Sequence, residues 1–177
     1  MIAIRPMRLA LLLAVVPLLA GCGFRPVYMP TASGTAGVAQ RELAAVNVAL
    51  IYGRPGQLFR QALQEQLASD NGVQPSYELQ ANFWITGEGI SVQPSNIATR
   101  VRLTGNVSWI LYAKDAAHTQ LTSGSGHQID GANLLDQQYF AFDLENEAVQ
   151  RRLAAALAQQ VSNQLAIYFR NHADTPG

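Results

Sequence analysis

The chain of 177 residues contains a single cysteine, Cys22, and only three histidines. One thiol cannot form an internal disulfide framework, and it cannot supply the cysteine set of a structural zinc site. The histidines do not compensate, because His118, His127 and His172 are never spaced as ligands on one helix or strand. We therefore expect no metal and no cofactor.

Charge is also scarce. Only 14% of the residues are charged, and twelve basic residues balance twelve acidic ones. Proteins that bind nucleic acid usually carry a basic patch or stripe that neutralises phosphates, and no such run occurs here. The composition therefore excludes nucleic acid as an expected partner.

The chain lacks the motifs of common enzymes. Residues 123–126 (SGSG) are followed by more polar strand sequence and not by the strand-to-helix turn that a nucleophilic serine of the G-x-S-x-G type requires. Residues 87–89 (GEG) lack the rest of a phosphate-binding fingerprint. The acidic residues are scattered and form no recognisable pair. We expect no catalytic residues, and we predict that the protein is not an enzyme.

What the chain does have is a bacterial export signal. Arg5 and Arg8 precede an apolar run at residues 9–19, which is too short to span a bilayer, and small residues lead to Cys22. The resemblance to bacterial lipoproteins implies cleavage before Cys22, a lipid on its sulfur and an acyl chain such as palmitate on the new amino terminus. Gly23, where some lipoproteins have Asp, implies sorting to the outer membrane. The alternative is a short hydrophobic anchor with an incidental cysteine.

The rest of the chain divides into four parts. Residues 1–21 are the predicted signal peptide, and residues 22–44 read as a lipidated amino terminus and tether, because Pro, Thr, Ser, Gly and Ala prevail without a period. Residues 45–170 carry regular apolar patterns, and residues 171–177 form a polar tail. One folded domain is therefore expected.

Within that domain the spacing of apolar residues changes between every second residue, which is typical of strands, and every 3.6 residues, which is typical of helices. Val46, Val48 and Leu50 predict a first strand that ends at residues 51–52, and residues 58–67 predict a helix. Alternation predicts a strand at residues 77–86, a long strand at residues 99–112 and a weaker edge strand at residues 120–129. A final helix is predicted to begin near Asp143, with one apolar stripe: Val149, Leu153, Leu157, Val161, Leu165 and Tyr168.

This order of elements predicts an α+β fold. The economical packing places two helices on one face of a small four-stranded, mostly antiparallel sheet. The other face is left uncovered, and it presents four candidate contacts for a partner: Trp84, Arg100, Arg102 and Tyr112. Trp, Tyr and Arg are enriched at interface hot spots. The alternative is an ordinary solvated surface, which antiparallel sheets commonly have.

Residues 21–28 (GCGFRPVY) resemble the mature amino terminus of the LptE family of lipopolysaccharide-assembly lipoproteins, especially its α-proteobacterial members. The strand pair joined at residues 91–98, the long strand at residues 99–111 and the acidic start of the last helix at residues 143–147 continue the resemblance. It implies a two-helix, four-stranded domain that inserts as a plug into the LptD β-barrel. There it assists barrel assembly and the placing of lipopolysaccharide in the outer leaflet, while its lipid holds it to the periplasmic face of the outer membrane.

The chain departs from that family in its charges. Some members carry basic residues between the second and third strands and just before the last helix, whereas residues 93–96 (QPSN) and 139–142 (YFAF) contain none here. Direct contact with lipopolysaccharide phosphates would therefore shift to Arg100 and Arg102. A function of another class stays open, that of an auxiliary lipoprotein of an envelope ABC-type lipid transporter, which is tethered to a membrane and never enters a barrel.

Overall fold

The computed structural model describes residues 37–69, 72–92, 98–133 and 139–173. The predicted signal peptide (residues 1–21), Cys22 and residues 93–96 lie outside these ranges. The described chain forms helices α1 (Val38–Ala44), α2 (Gly53–Leu67) and α3 (Tyr139–Ala173). Its strands are β1 (Val46–Val48), β2 (Tyr77–Val92), β3 (Ala98–Ala113) and β4 (Gln120–Asn133).

The four strands form one sheet in the order β1-β2-β3-β4. β1 lies parallel to β2, with Val46 opposite Tyr77, because α2 carries the chain back between them. β2, β3 and β4 are antiparallel neighbours. The predicted α+β fold with a mostly antiparallel sheet is confirmed, and β4 occupies the predicted sheet edge.

The register of β2 and β3 decides which residues enter the core. Phe83 lies opposite Val107, and the next pair is Trp84 with Asn106. Since successive side chains of a strand point to opposite faces, Phe83 and Val107 are buried while Trp84 is 43% exposed. The Phe59 ring of α2 stacks on the Phe83 ring with centroids 4.9 Å apart, which joins the helix layer to the sheet.

The long helix α3 packs along the sheet through the predicted apolar stripe. Each of its stripe residues from Val149 to Leu165 is at most 1% exposed: Val149, Leu153, Leu157, Val161 and Leu165. Near the start of the helix, Val149 and Leu153 pack against Ile85 of β2 and Leu103 of β3. Burial of each large aliphatic side chain contributes about 1.5–3 kcal/mol, so this stripe is a major part of what holds the layers together.

Two helix predictions need correction. The tether was expected to reach residue 44, but residues 38–44 form α1, whose Ala39 and Leu43 are 4% and 2% exposed. A seven-residue helix is too short for an apolar period and too short to be stable alone, so its packing against the core decides its formation. The last helix begins at Tyr139 and not near Asp143, which therefore lies inside the helix and does not cap it.

The first strand is also shorter than predicted. β1 ends at Val48, and Leu50 is 64% exposed, whereas Ile51 is buried. The burial of Ile51 depends on Gly56, because a Cβ at Gly56 would lie 2.7 Å from the Ile51 Cγ2 atom. Ile51 fills the space that a side chain at Gly56 of α2 would occupy. The chain leaves the direction of β1 after Val48 and brings Ile51 into this space. No helix in the described ranges has the length and apolarity needed to cross a membrane.

Candidate functional site

The sheet surface that faces away from the three helices is called the open face here. It consists of the alternate residues of β2, β3 and β4 that do not enter the core. The paired rows that define it join Gln80 to Ile110 and Ser123, Asn82 to Ser108 and Ser125, Trp84 to Asn106 and His127, and Glu88 to Arg102 and Gly131.

All four predicted contact residues lie on the open face, but they do not form one cluster. Trp84 is central, Arg102 lies opposite Glu88 in one direction, and Tyr112 lies opposite Glu78 in the other. At about 3.3 Å per residue along a strand, the four residues from Trp84 to Glu88 span about 13 Å, and the six from Glu78 to Trp84 span about 20 Å. The predicted site is therefore a stripe along the strands.

The two arginines define the end of the stripe nearest the β2–β3 connection. An Arg102 guanidinium nitrogen lies 3.6 Å from a Glu88 carboxylate oxygen, and both side chains are well exposed. Exposed pairs of this kind contribute little to stability. The guanidinium of Arg100 lies beside Gly131, where an added Cβ would be 3.4 Å from an Arg100 nitrogen. Two guanidinium groups thus share one end of the open face.

Tyr112 and His118 form the opposite end. Their rings stack with centroids 4.3 Å apart and planes 8° apart, and the His118 Nε2 atom lies 3.7 Å from a Glu78 carboxylate oxygen. His118 has a left-handed backbone, with φ 49°, and the Asp115 carboxylate accepts hydrogen bonds from the Thr119 backbone and hydroxyl. Those bonds, led by that from the Thr119 backbone, hold the pKa of Asp115 below its usual value. The sequence analysis found only that His118 has no metal-ligand spacing, and it did not predict this contact with Tyr112.

Between the two ends lies a shallow hollow of about 500 Å³. Its walls and floor come from the middle of β2, β3 and β4: Gln80, Ala81, Asn82, Ser108, Trp109, Ile110, Ser123 and Gly124. None of these residues is charged. The hollow exists because two serines occupy adjacent strands where longer side chains would fill the space. Sequence patterning did not predict it, since a hollow depends on which small residues the register brings together.

The helix layer fixes the strand that forms one side of the hollow. The buried Trp109 indole donates a hydrogen bond of 3.0 Å to the Gln164 side chain, which donates in turn to the Ser125 carbonyl at 3.4 Å. Farther along, Arg152 donates to the Asp130 carboxylate at 2.7 Å, and this bond lowers the pKa of Asp130. The edge strand β4 is thereby held to α3 at two places.

The short helix α1 is held to the sheet by a polar contact at its base. The Tyr77 hydroxyl donates a hydrogen bond of 2.8 Å to the Glu42 carboxylate. Burial, followed by this bond to an anion, raises the pKa of Tyr77 to about 12. Neither residue was singled out by the sequence.

Among the described residues, no group of three His, Cys, Asp or Glu side chains is placed to hold a metal ion. The open face instead offers arginines at one end, aromatic rings at the centre and at the far end, and an uncharged hydrogen-bonding floor. Such a surface can bind a partner or a polar ligand through packing and hydrogen bonds.

One comparison with known proteins identifies a family. A family model described as LptE, lipopolysaccharide-assembly, matches residues 43–165. This range includes the whole sheet and most of α3. The comparison with curated proteins finds no match.

Solved structures share the fold. A protein from Caulobacter crescentus CB15, described as a lipoprotein, has a TM-score of 0.62 at 23% identity, and the match covers 75% of this chain and 96% of that one. The rare lipoprotein B from Shewanella oneidensis has a TM-score of 0.55 at 12% identity, covering 72% and 98%. A minor lipoprotein from Acinetobacter baumannii has a TM-score of 0.53 at 16% identity, covering 69% and 90%.

Proposed function

Because the chain belongs to the LptE family of lipopolysaccharide-assembly proteins, we propose that it is a lipid-anchored outer-membrane protein that serves as plug and assembly partner of an LptD-like β-barrel. In this role it takes part in placing lipopolysaccharide in the outer leaflet and performs no catalysis. The observation that carries the proposal is the family match over residues 43–165, which include the open face.

The chemistry of the open face supports a barrel as partner. The inner wall of a large outer-membrane barrel is polar, and a plug needs a polar surface with a few strong anchor residues. Trp84 is 43% exposed and the Arg102 side chain 48% exposed, so both are available to a partner. Trp, Tyr and Arg side chains dominate the binding energy of many interfaces.

The proposed lipid anchor is compatible with entry into a barrel. Cys22 would carry the lipid, and the 14 residues at positions 23–36 lie between it and Gly37, where the described domain begins. At most about 3.5 Å per extended residue, this segment reaches up to about 50 Å. The domain can therefore lie inside a lumen while its acyl chains stay in the membrane.

The arginine end of the open face supports contact with lipopolysaccharide. Arg100 and Arg102 are two residues apart on one strand, so their side chains share a face. Guanidinium groups bind phosphate through paired, charge-assisted hydrogen bonds. In the proposed complex these two residues contact the phosphates of the lipid during its passage.

The partner proposal is tested by purification from detergent-solubilised envelopes. We expect the wild-type chain to co-purify with a large outer-membrane barrel and the variant Trp84→Ala/Arg102→Ala to lose this partner by about 30-fold or more, which corresponds to roughly 2 kcal/mol at a hot spot. The same variant should unfold with a free energy within about 0.5 kcal/mol per surface change of the wild type. Gln159→Ala, on the exposed side of α3, is the matched control.

Two outcomes contradict the partner proposal. Recovery with inner-membrane transporter subunits alone indicates the auxiliary lipoprotein of an ABC-type transporter instead. The second outcome is a double variant that unfolds in isolation but still co-purifies with the barrel. It would mean that Trp84 and Arg102 support the core and that the open face is not the contact surface.

The anchor is tested by Cys22→Ala, followed for both processing and location. We expect an unprocessed precursor, or release from the membrane, with the fold of the domain unchanged. A normally processed Cys22→Ala protein that still sediments with the outer membrane contradicts the lipoprotein assignment, provided that processing is read directly, since a barrel partner also retains the chain.

A further inference from the structure

The hollow of the open face lies between two aromatic side chains. Trp84 stands beyond Asn82 on one side, and Tyr112 stands opposite Glu78 on the other. Glu78 and Trp84 lie six residues apart on β2, so the two aromatic positions are about 20 Å apart along the strands. The polar lining residues Gln80 and Asn82 lie within that length. The lining itself covers residues 80–82, 108–110 and 123–124, or about 7 Å along β2, so the hollow is a short groove with an aromatic ring beyond each end.

The lining combines uncharged polar side chains with apolar surface. Gln80 and Asn82 carry amide groups, and Ser108 and Ser123 carry hydroxyls, so each of these four side chains can both donate and accept hydrogen bonds. No lining residue is charged, and a buried anion would therefore lose water without gaining a charged partner. Ile110 adds an apolar patch. These groups suit a neutral molecule with many hydroxyls and some apolar C–H surface.

Of the two open-face serines of β4, Ser123 lines the hollow and Ser125 follows it on the same face. In the same strand Gly124 lies against the Trp109 ring and Gly126 against the flexible Gln160 side chain, both on the helix side. Ser123 and Ser125 point to the open face and are exposed. Strands favour β-branched and aromatic residues, and places where a sequence departs from local preference are often functional. Small hydroxyl side chains keep the floor low.

The groove is also rigid before any ligand arrives. Its β4 side is fixed by the bond from Gln164 to the Ser125 carbonyl, and its far end by the stacking of Tyr112 on His118. Binding sites that are already formed lose less entropy when the ligand binds. The aromatic ends therefore hold their positions without reorganisation.

From these observations we infer that the hollow binds a neutral saccharide, a short chain of sugar rings whose hydroxyls bond to Gln80, Asn82, Ser108 and Ser123 and whose C–H surface packs on Trp84. The inference rests on the proposed function and deepens it, because it assigns the sugar part of the glycolipid to the groove and leaves its phosphates to Arg100 and Arg102. A sugar chain could also come from peptidoglycan, which has the same chemistry.

Tryptophan fluorescence of the full lipidated protein tests the inference. The chain has two tryptophans, and Trp109 is 4% exposed while Trp84 is 43% exposed, so a change in acrylamide quenching reports Trp84. The detergent must lack a sugar headgroup, because a maltoside would occupy the groove. The probes are phosphate-free core oligosaccharide from lipopolysaccharide, a peptide-free tetrasaccharide of peptidoglycan, and inorganic phosphate.

We expect the core oligosaccharide to shield Trp84 saturably and inorganic phosphate to have no effect on it. Ser108→Val and Ser123→Val fill the floor with methyl groups and remove hydroxyls, and each should weaken binding about 10-fold or more. Thr86→Val removes a hydroxyl from the same face outside the hollow and should bind as the wild type does. Circular dichroism checks that each variant is folded. Because the two variants lie on different strands, the test still works if one of them fails to fold.

The outcomes separate cleanly. Shielding by the core oligosaccharide alone assigns the groove to the glycolipid, and shielding by both saccharides supports the shared chemistry. The inference is overturned if no saccharide shields Trp84 up to about 10 mM, a limit that corresponds to very weak binding, or if both valine variants bind as the wild type does. If the chain co-purifies with a barrel but binds neither saccharide, the result contradicts this inference and leaves the proposed function intact.

Discussion

Replacing Gly124 by Ala should destabilise the domain, although it adds one methyl group to an edge strand. An ideal Cβ at Gly124 would lie 2.5 Å from the Cζ2 atom and 2.8 Å from the Cε2 atom of Trp109. Carbon atoms in good contact are about 3.5–4.0 Å apart, so the ring or the strand must move by about 1 Å. Trp109 is 4% exposed and hydrogen-bonded to Gln164, and it has little room to do so.

The expected magnitude follows from two opposing effects. Overpacking of a filled core typically costs about 1–3 kcal/mol. Replacing Gly by Ala where no strain results stabilises a protein by about 0.4–1 kcal/mol, because the unfolded chain loses freedom. The first effect is larger, and we expect a net loss of about 1–2 kcal/mol. In urea, with a slope near 1–3 kcal/mol per molar, the unfolding midpoint should fall by about 0.3–2 M.

Two glycines of the same strand provide the controls. At Gly126 the nearest atom to an added Cβ is the amide oxygen of Gln160 at 2.8 Å, which is the far end of a flexible side chain. At Gly131 the nearest atom is an Arg100 nitrogen at 3.4 Å. Both side chains can move aside, so Gly126→Ala and Gly131→Ala should leave the midpoint nearly unchanged or raise it slightly.

Rescue gives a second check. Trp109→Phe makes the ring system smaller, so a double-mutant cycle with Gly124→Ala should show that the alanine is less harmful beside Phe than beside Trp. Equal midpoints for Gly124→Ala and Gly131→Ala, or a cycle without coupling, would refute the placing of Trp109 directly beneath β4.

Two further predictions concern the helix layer. Leu157→Ala removes a fully buried side chain and should lower the unfolding free energy by about 2–5 kcal/mol, while the exposed Gln159→Ala should change it by no more than about 0.5 kcal/mol. Equal effects in urea unfolding would show that the helical phase is wrong. Arg152 holds the pKa of Asp130 below its ordinary value, so that pair stabilises the fold fully above an unfolded pKa of about 3.9 and progressively less as the pH falls through the folded-state pKa. Asp130→Asn should therefore lower stability at pH 7 and flatten its loss in acid, and an unchanged acid profile would contradict the pair.

Local patterns in the sequence were sufficient for much of the fold. The alternation in β2 and β3 placed Phe83 and Trp109 inside and Trp84 outside, because side chains of a strand alternate whatever the rest of the chain does. The stripe from Val149 to Leu165 likewise located the buried side of α3. The four candidate contact residues reached the open face for the same reason.

The first and last residues of helices and strands depended on tertiary contacts. Helix α1 forms only because Ala39 and Leu43 meet the core, and β1 ends early because Ile51 fills the space beside Gly56. Neither contact recurs at a regular spacing along the chain, so neither produces a period. Propensity and spacing therefore could not indicate these boundaries.

The sequence by itself determined the faces of the long strands and the phase of the last helix, and it predicts a secretion signal. Only the tertiary structure decided that Tyr112 stacks on His118, that Trp109 bonds to Gln164 across 55 residues, and that Ser108 and Ser123 meet in one hollow. Periodicity records which side of its own element a residue occupies. Strand register and helix placement decide which residues meet across elements, and these are set by all the packing contacts of the domain together.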